Sequence, residues 1–279
     1  MCMRVFRYFD TKGGIATLAT GKMRWASPRA FNDPFEFTPE VRPARDELIE
    51  QKLRGERWIH EFHEKIGKPK GFSEEESKFI YLAEELPRRL EQVKSSKEKR
   101  AEQLRLELLD TAAKHFRILC CSHTHDSILM WSHYAEKHRG LVIEIETDEL
   151  ESGVNLKPCI FDVRYRSSPP VINSLTSSME EFEADFDKAF STKALNWNYE
   201  EEVRIKCAAP DGIALDAPLD RKLPLSCIKR VIVGCYTHFV PGVIEEIERI
   251  ANQSDYSHIK FQRAVIHDRE FKLRFVDRA

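Results

Sequence analysis

Most of the β-prone residues of this chain come in stretches only four or five residues long, such as Ile118–Cys121, Leu141–Ile145, Phe161–Tyr165, Val203–Cys207 and Val231–Gly234. Stretches that short suit strands, because a helix of the same length closes few hydrogen bonds and buries little. Helical spacing appears between them, in Thr11–Thr20 with Ile15 and Leu18, in Met179–Ala189 and in Pro241–Ile250. Strands and helices do not alternate as regular βαβ units, and no internal repeat is present. The pattern predicts an α+β fold, a mixed and largely antiparallel sheet flanked by helices. Val5–Phe9 and Met23–Ala26 read as strands on either side of the first helix, which Gly21 is placed to end. Lys260–Ile266 and Phe271–Val276 read as edge strands or a final hairpin.

Residues 44–116 follow another rule. Arg45–Ile66 and Ser73–Phe116 set Leu, Ile and Phe at helical spacing among dense Glu, Lys and Arg. Ser73 with Glu76 makes a capping box, Pro87 breaks or kinks the second segment, and Gly67–Gly71 supplies a turn. Glu98, Glu102 and Arg105 share one helical face. This is a charged helical insertion within a single 279-residue domain, either a solvated cover or an arm for a partner protein.

Composition narrows the function. The formal net charge is −2, from 44 basic and 46 acidic residues. Proteins that grip duplex nucleic acid through phosphates usually carry a basic excess, and this one does not. The 7 cysteines are odd in number and sit mostly in apolar contexts, as free thiols packing like small hydrophobes. The opening MCMRVFRYF has no apolar signal region, and no apolar run approaches the roughly 20 residues that cross a bilayer. The expectation is a cytoplasmic protein with reduced thiols and no membrane contact. Neither a P-loop nor Gly-x-Gly-x-x-Gly is present.

Three clusters carry chemistry. In Phe31-Asn32-Asp33-Pro34-Phe35-Glu36, the Phe rings are expected to anchor a turn while Asn32, Asp33 and Glu36 face outward. It is either a pocket rim or a rigid corner. Met130-Trp131-Ser132-His133-Tyr134 packs three polar groups and a large aromatic into one turn, suited to stacking a flat heterocycle or to the core. In Trp197-Asn198-Tyr199-Glu200-Glu201-Glu202-Val203-Arg204, strand alternation would put Glu200, Glu202 and Arg204 on one face, for ribose hydroxyls or as an ion-pair ladder. Lys193, on the approach to that strand, is placed for a phosphate or for solvent. His123, His125, His133 and His138 lie near Cys120 and Cys121, but the spacing fits no zinc pattern and predicts no metal.

The motifs in order are Arg7-Tyr8, Trp25-Ala26-Ser27-Pro28, FNDPFE, MWSHYA with Gly140, Lys193, Trp197 and Tyr199-Glu200-x-Glu202-x-Arg204. Together they resemble a large bacterial domain-of-unknown-function family, found in many genomes and often near phage-defence genes. The resemblance spans roughly residues 4–235 without the charged insertion. A second resemblance is to the ADP-ribosyltransferases. It implies NAD as substrate, with Arg7 in the role of the first-strand Arg, Tyr134 or Ser132 on the middle element and Glu202 as the catalytic carboxylate. Glu200-x-Glu202 is similar to the Glu-x-Glu pair of the arginine-modifying branch. Tyr8, Asn32, Asp33, Glu36, Trp131, Ser132, His133, Lys193, Trp197, Glu200 and Arg204 would then surround the substrate. This sequence departs from that pattern in its Trp-Ser-His-Tyr turn, where those enzymes have a Ser-Thr-Ser strand. The acceptor is left open between protein, nucleic acid and water. Two alternatives stand beside the transferase: a non-catalytic nucleotide-sensing module, and a metal-dependent nuclease-like defence protein built on Asp33, Glu36 and His133.

Overall fold

The computed structural model describes residues 3–42, 99, 102–103, 105–148, 150, 159–173, 184 and 187–277. Most of the insertion at 44–116, and most of the helix expected over 179–189, lie outside the described residues. The parts within them, 105–115 and 187–189, are helical.

The chain divides into two compact units. One comprises Met1–Glu36, Leu109–Ser168 and Phe190–Ala279; the other comprises Phe37–Leu108 and Pro169–Ala189. In the second unit, β3 (Glu40–Arg42) and β8 (Val171–Asn173) pair in parallel.

The first unit is built on a sheet of eight strands. In chain order these are β1 (Arg4–Phe9), β4 (Phe116–Ser122), β5 (Leu141–Glu146), β6 (Cys159–Asp162), β10 (Glu202–Ala208), β12 (Ile228–Val233), β13 (Lys260–Ile266) and β14 (Leu273–Asp277). Their spatial order is β14-β13-β12-β5-β1-β4-β10-β6. Every neighbouring pair is antiparallel except β12 and β13. The fold is thus α+β on a mostly antiparallel sheet. The parallel pair is a βαβ unit, which the sequence pattern had not suggested. Its connection holds the helix Val243–Ala251, whose Val243, Ile247 and Ile250 are buried one and two turns apart. β13 is therefore an interior strand, and only β14 lies at that edge. The stretch Phe161–Tyr165 is also not one strand. It divides at Val163 into β6 and β7 (Arg164–Arg166), and β7 pairs with β9 (Thr192–Ala194).

Helix α1 (Thr11–Thr20) shows how local chemistry fixes an element. The Asp10 carboxylate accepts from the Gly13 N–H at its start, and Gly21 ends it at φ 64°, donating to the Thr17 carbonyl. A second pair, β2 (Lys22–Trp25) with β11 (Leu219–Lys222), follows.

Strand alternation separates two cores. On one face Val5, Leu119, Ile143, Val203, Ile205 and Val231 pack with Leu18 and Ile247. On the other, Phe6, Tyr8, Val142 and Ile232 pack with Met130 and Trp131 of α2 (Ile128–Tyr134). Gly140 sits where a Cβ would overlap the Phe9 carbonyl oxygen, so β5 and its preceding turn can approach β1 only with glycine there.

Arg117 is fully buried on β4 and bonds only to main-chain carbonyls among the described residues. Its Nη1 donates to Ala113 (2.5 Å) and Phe116 (2.7 Å), its Nε to Ala217 (2.8 Å) and its Nη2 to Ala214 (2.9 Å). One guanidinium therefore closes the end of the helix over 105–115 and ties down the loop around 214–217.

Candidate functional site

β1 pairs with β5 over its whole length, but with β4 only at Phe6 and Ser122. Where those strands part, a cleft of about 310 Å³ opens. Phe6, Arg7 and Tyr8 of β1 line it with Cys120 and Cys121 of β4. The segment after β2 contributes Phe31, Asn32 and Glu36; α2 contributes Met130 and Tyr134; Lys193, Glu200 and Glu202 complete it. At the gap in the ladder, Arg7 Nη1 donates to the Cys120 carbonyl, while Arg7 Nε is buried with no hydrogen-bond partner among the described residues.

Beneath the cleft lies a buried ionic cluster of three carboxylates and two cations, Glu36, Glu200, Glu202, Lys193 and Arg204. Lys193 Nζ reaches Glu200 at 2.5 Å, Glu36 at 3.1 Å and Glu202 at 3.3 Å. Arg204 grips Glu202 with two nitrogens, Nε and Nη2, each at 2.9 Å. It also meets Glu36 at 2.6 Å and donates to the Phe190 carbonyl at 2.9 Å. Such charges are tolerated in a core only when paired and hydrogen-bonded, and here each is. Arg204 also lies 5.0 Å from the centre of the Phe31 ring, which ties FNDPFE to the cluster through both its first and last residues.

The carboxylates differ in electrostatics. Burial pushes the Glu36 carboxyl up, and Arg204 and Lys193 only partly offset it. Burial also acts on Glu202, but Arg204 and Lys193 outweigh it and hold the carboxyl down to about 2. Burial lowers both cations' affinity for their protons, and the surrounding carboxylates more than restore it, leaving Lys193 and Arg204 raised. Tyr134 Oη donates to Glu200 at 2.6 Å, and burial followed by that bond raises the phenol.

Glu200 and Glu202 do not meet by strand alternation. Glu200 ends a 3₁₀ turn, Glu201 takes a left-handed conformation (φ 42°) that is uncommon outside glycine, and β10 begins at Glu202. That reversal brings both carboxylates to Lys193. Tyr165 of β7 fixes the corner by accepting from the Glu202 N–H at 2.7 Å, and Ser122 donates to the Glu200 carbonyl at 2.6 Å.

Of the candidate residues, Arg7, Tyr8, Asn32, Glu36, Tyr134, Lys193, Glu200 and Glu202 line the cleft, and Arg204 lies buried below it. Trp131 is buried instead, edge-on to Tyr8 with its indole N–H on the His125 carbonyl. Ser132 turns to the Ile128 carbonyl and His138. His133 is exposed against Tyr199, and Trp197 sits over Lys193. The FNDPFE turn is partly inverted from the expected arrangement. Phe35 is 75% exposed, whereas Asp33 and Glu36 are buried because one caps the Phe35 N–H and the other neutralises Arg204. Asp33, Glu36 and His133 therefore point to three different surroundings. No group of three or more His, Cys, Asp or Glu side chains arranged to hold a metal ion is present among the described residues.

Cys120 and Tyr165 were absent from the candidate residues. Nothing local marks either: Cys120 matters because β1 and β4 separate beside it, and Tyr165 because β7 crosses to β9. Burial raises the Cys120 thiol well above the ordinary range. No helix among the described residues is long and apolar enough to cross a membrane.

No curated protein and no solved structure matches the chain. Residues 130–205, which hold MWSHYA, Lys193 and the Glu200/Glu202 corner but neither Arg7 nor FNDPFE, match the model of the family described as Protein of unknown function (DUF2971).

Proposed function

We propose that the cleft takes NAD and breaks its nicotinamide–ribose bond, so that the chain acts as an ADP-ribosyltransferase or NAD glycohydrolase in the cytoplasm, as a toxin or phage-defence effector. The observation that carries this reading is the meeting of Arg7, Tyr134 and Glu202, from three distant elements, around one cleft. In the reaction the C1′–N bond breaks and its electron pair passes to the pyridinium ring, releasing neutral nicotinamide. Positive charge then develops on the ribose, and Glu202, held ionised by Arg204 and Lys193, opposes it. Tyr134 stacks on nicotinamide, and the guanidinium of Arg7 binds ribose or pyrophosphate oxygens. Water or a macromolecular acceptor forms the new bond to C1′ and gives up a proton. The Glu200 carboxylate accepts only from Tyr134 and Lys193 among the described residues, so it has acceptor capacity left for that proton.

Glu202 is more fully engaged. Arg204 supplies two donors and Lys193 a third, which leaves a ribose hydroxyl little room on the carboxylate. The same observation favours a second reading, a sensor that binds the nucleotide without cleaving it.

The test is nicotinamide release by the purified chain beside NAD binding by calorimetry. Arg7→Ala and Glu202→Gln should each slow release, the latter on the order of a hundredfold. Binding without release selects the sensor, and the absence of both rejects the cleft as an NAD site. Unchanged turnover in Glu202→Gln rules out that carboxylate.

A further inference from the structure

Away from the cleft, β13 and β14 form a hairpin whose tip, His267–Lys272, borders a cavity of about 430 Å³. Phe271 stands at that tip with 103% relative exposure. Ile128, Tyr236 and Ile266 line the same cavity, and Phe239 packs on Tyr236 with ring centres 5.8 Å apart. All five are exposed, although Ile128 belongs to α2 and Tyr236 to the turn after β12. Exposed apolar side chains scattered singly need no explanation, but a cluster around a concavity does.

The flanking charges say what covers it. Asp268, Arg269, Glu270 and Lys272 alternate in sign around Phe271, and every one of these side chains is more than half exposed (71%, 87%, 59% and 52%). Lys272 and Glu270 pair within the chain at 2.7 Å, an exposed contact that solvent makes readily exchangeable. A two-fold axis brings residue i of one copy to residue j of the other and j to i. With the axis between positions 269 and 270, Arg269 of each copy meets Glu270 of the other. Knob, hole and matching charges are then all carried by one surface. We propose that this chain forms a two-fold dimer in which Phe271 of each copy enters the cavity of the other. The proposal is independent of any chemistry in the cleft.

Sedimentation of the full chain over a wide concentration range tests it. The wild type should associate to a dimer, and Phe271→Glu should weaken association on the order of a hundredfold. Phe271 makes no buried contact in the monomer, so the melting temperature of the variant at low concentration should match that of the wild type. Arg269→Glu should also weaken the dimer, and adding Glu270→Arg should restore it. A wild type that stays monomeric at every concentration overturns the proposal. So does a dimer that tolerates Phe271→Glu, or one that the charge exchange fails to rescue.

Discussion

Two arginines on neighbouring strands, Arg117 of β4 and Arg204 of β10, are both fully buried, yet they are satisfied in opposite ways. Arg204 shares a face with Glu202 and is ringed by carboxylates, so that its guanidinium is raised despite burial. Arg117 shares the other face with Leu119 and has four carbonyls for partners, and burial lowers it. The carbonyl of Ala113 lies in the last turn of a helix, where the backbone dipole favours a cation. One arginine therefore balances charge beneath a cleft, and the other joins a helix end to a loop with no counter-ion among the described residues. The lesson is that main-chain carbonyls alone can hold a buried guanidinium, and that carboxylates are required only where other charges are present.

Removing each arginine should break the molecule differently. Arg204→Met leaves Glu36 and Glu202 with Lys193 alone, and breaking such a buried cluster costs about 3–5 kcal/mol. Denaturant unfolding should show that loss, together with loss of any nucleotide binding in the cleft. Arg117→Met leaves four carbonyls without that donor, an effect of about 1–3 kcal/mol for each one that water does not reach. Its midpoint should fall while binding and turnover per folded molecule stay at the wild-type level. Loss of binding by the folded Arg117→Met variant would show that this arginine shapes the cleft as well.

Acid sharpens the contrast. The folded Glu202 carboxyl is depressed to about 2 from 4.5, so the unfolded chain binds the proton more readily between those values. Its stabilising contribution is complete above pH 4.5 and is lost as pH falls towards 2. Glu36 acts with the other sign: its raised carboxyl makes its contribution largest in acid and costs stability as pH rises above 4.5. Arg204→Met should shrink the slope of stability between pH 4.5 and 2, because Glu202 then loses its strongest partner. Arg117→Met should leave the slope unchanged. Thermal melts across that range measure both. The smallest expected effect is that of Tyr165→Phe, which removes one hydrogen bond to the Glu202 N–H and should cost about 1 kcal/mol. If it slows nicotinamide release far more than it lowers the melting temperature, Tyr165 positions the carboxylate as well as stabilising the turn.

The structure also changes how Glu202→Gln must be interpreted. From sequence, an amide at this position preserves shape and so should leave the fold intact. In the cluster it withdraws charge from Lys193 and Arg204 together, so stability must be measured beside turnover. Glu200→Gln is gentler, because Tyr134 and Lys193 are the only hydrogen-bond partners of its carboxylate among the described residues.

Period and punctuation determined much of this protein by themselves. Short apolar stretches specified β4, β5 and β10, and Gly21 bounded the end of α1, because those signals act within a few residues. The three clusters of polar and aromatic residues were legible as unusual for the same reason. What only the tertiary structure decided was pairing. No local signal makes β1 leave β4 after a single register position, yet that separation creates the cleft and brings Cys120 to its wall. Nor does one distinguish Glu36 as buried and Phe35 as exposed in the same turn, since the choice is made by Arg204, 168 positions away from Glu36. Residue types carry the chemistry, but burial and charge pairing depend on which distant strands become neighbours, and that is settled by the fold as a whole.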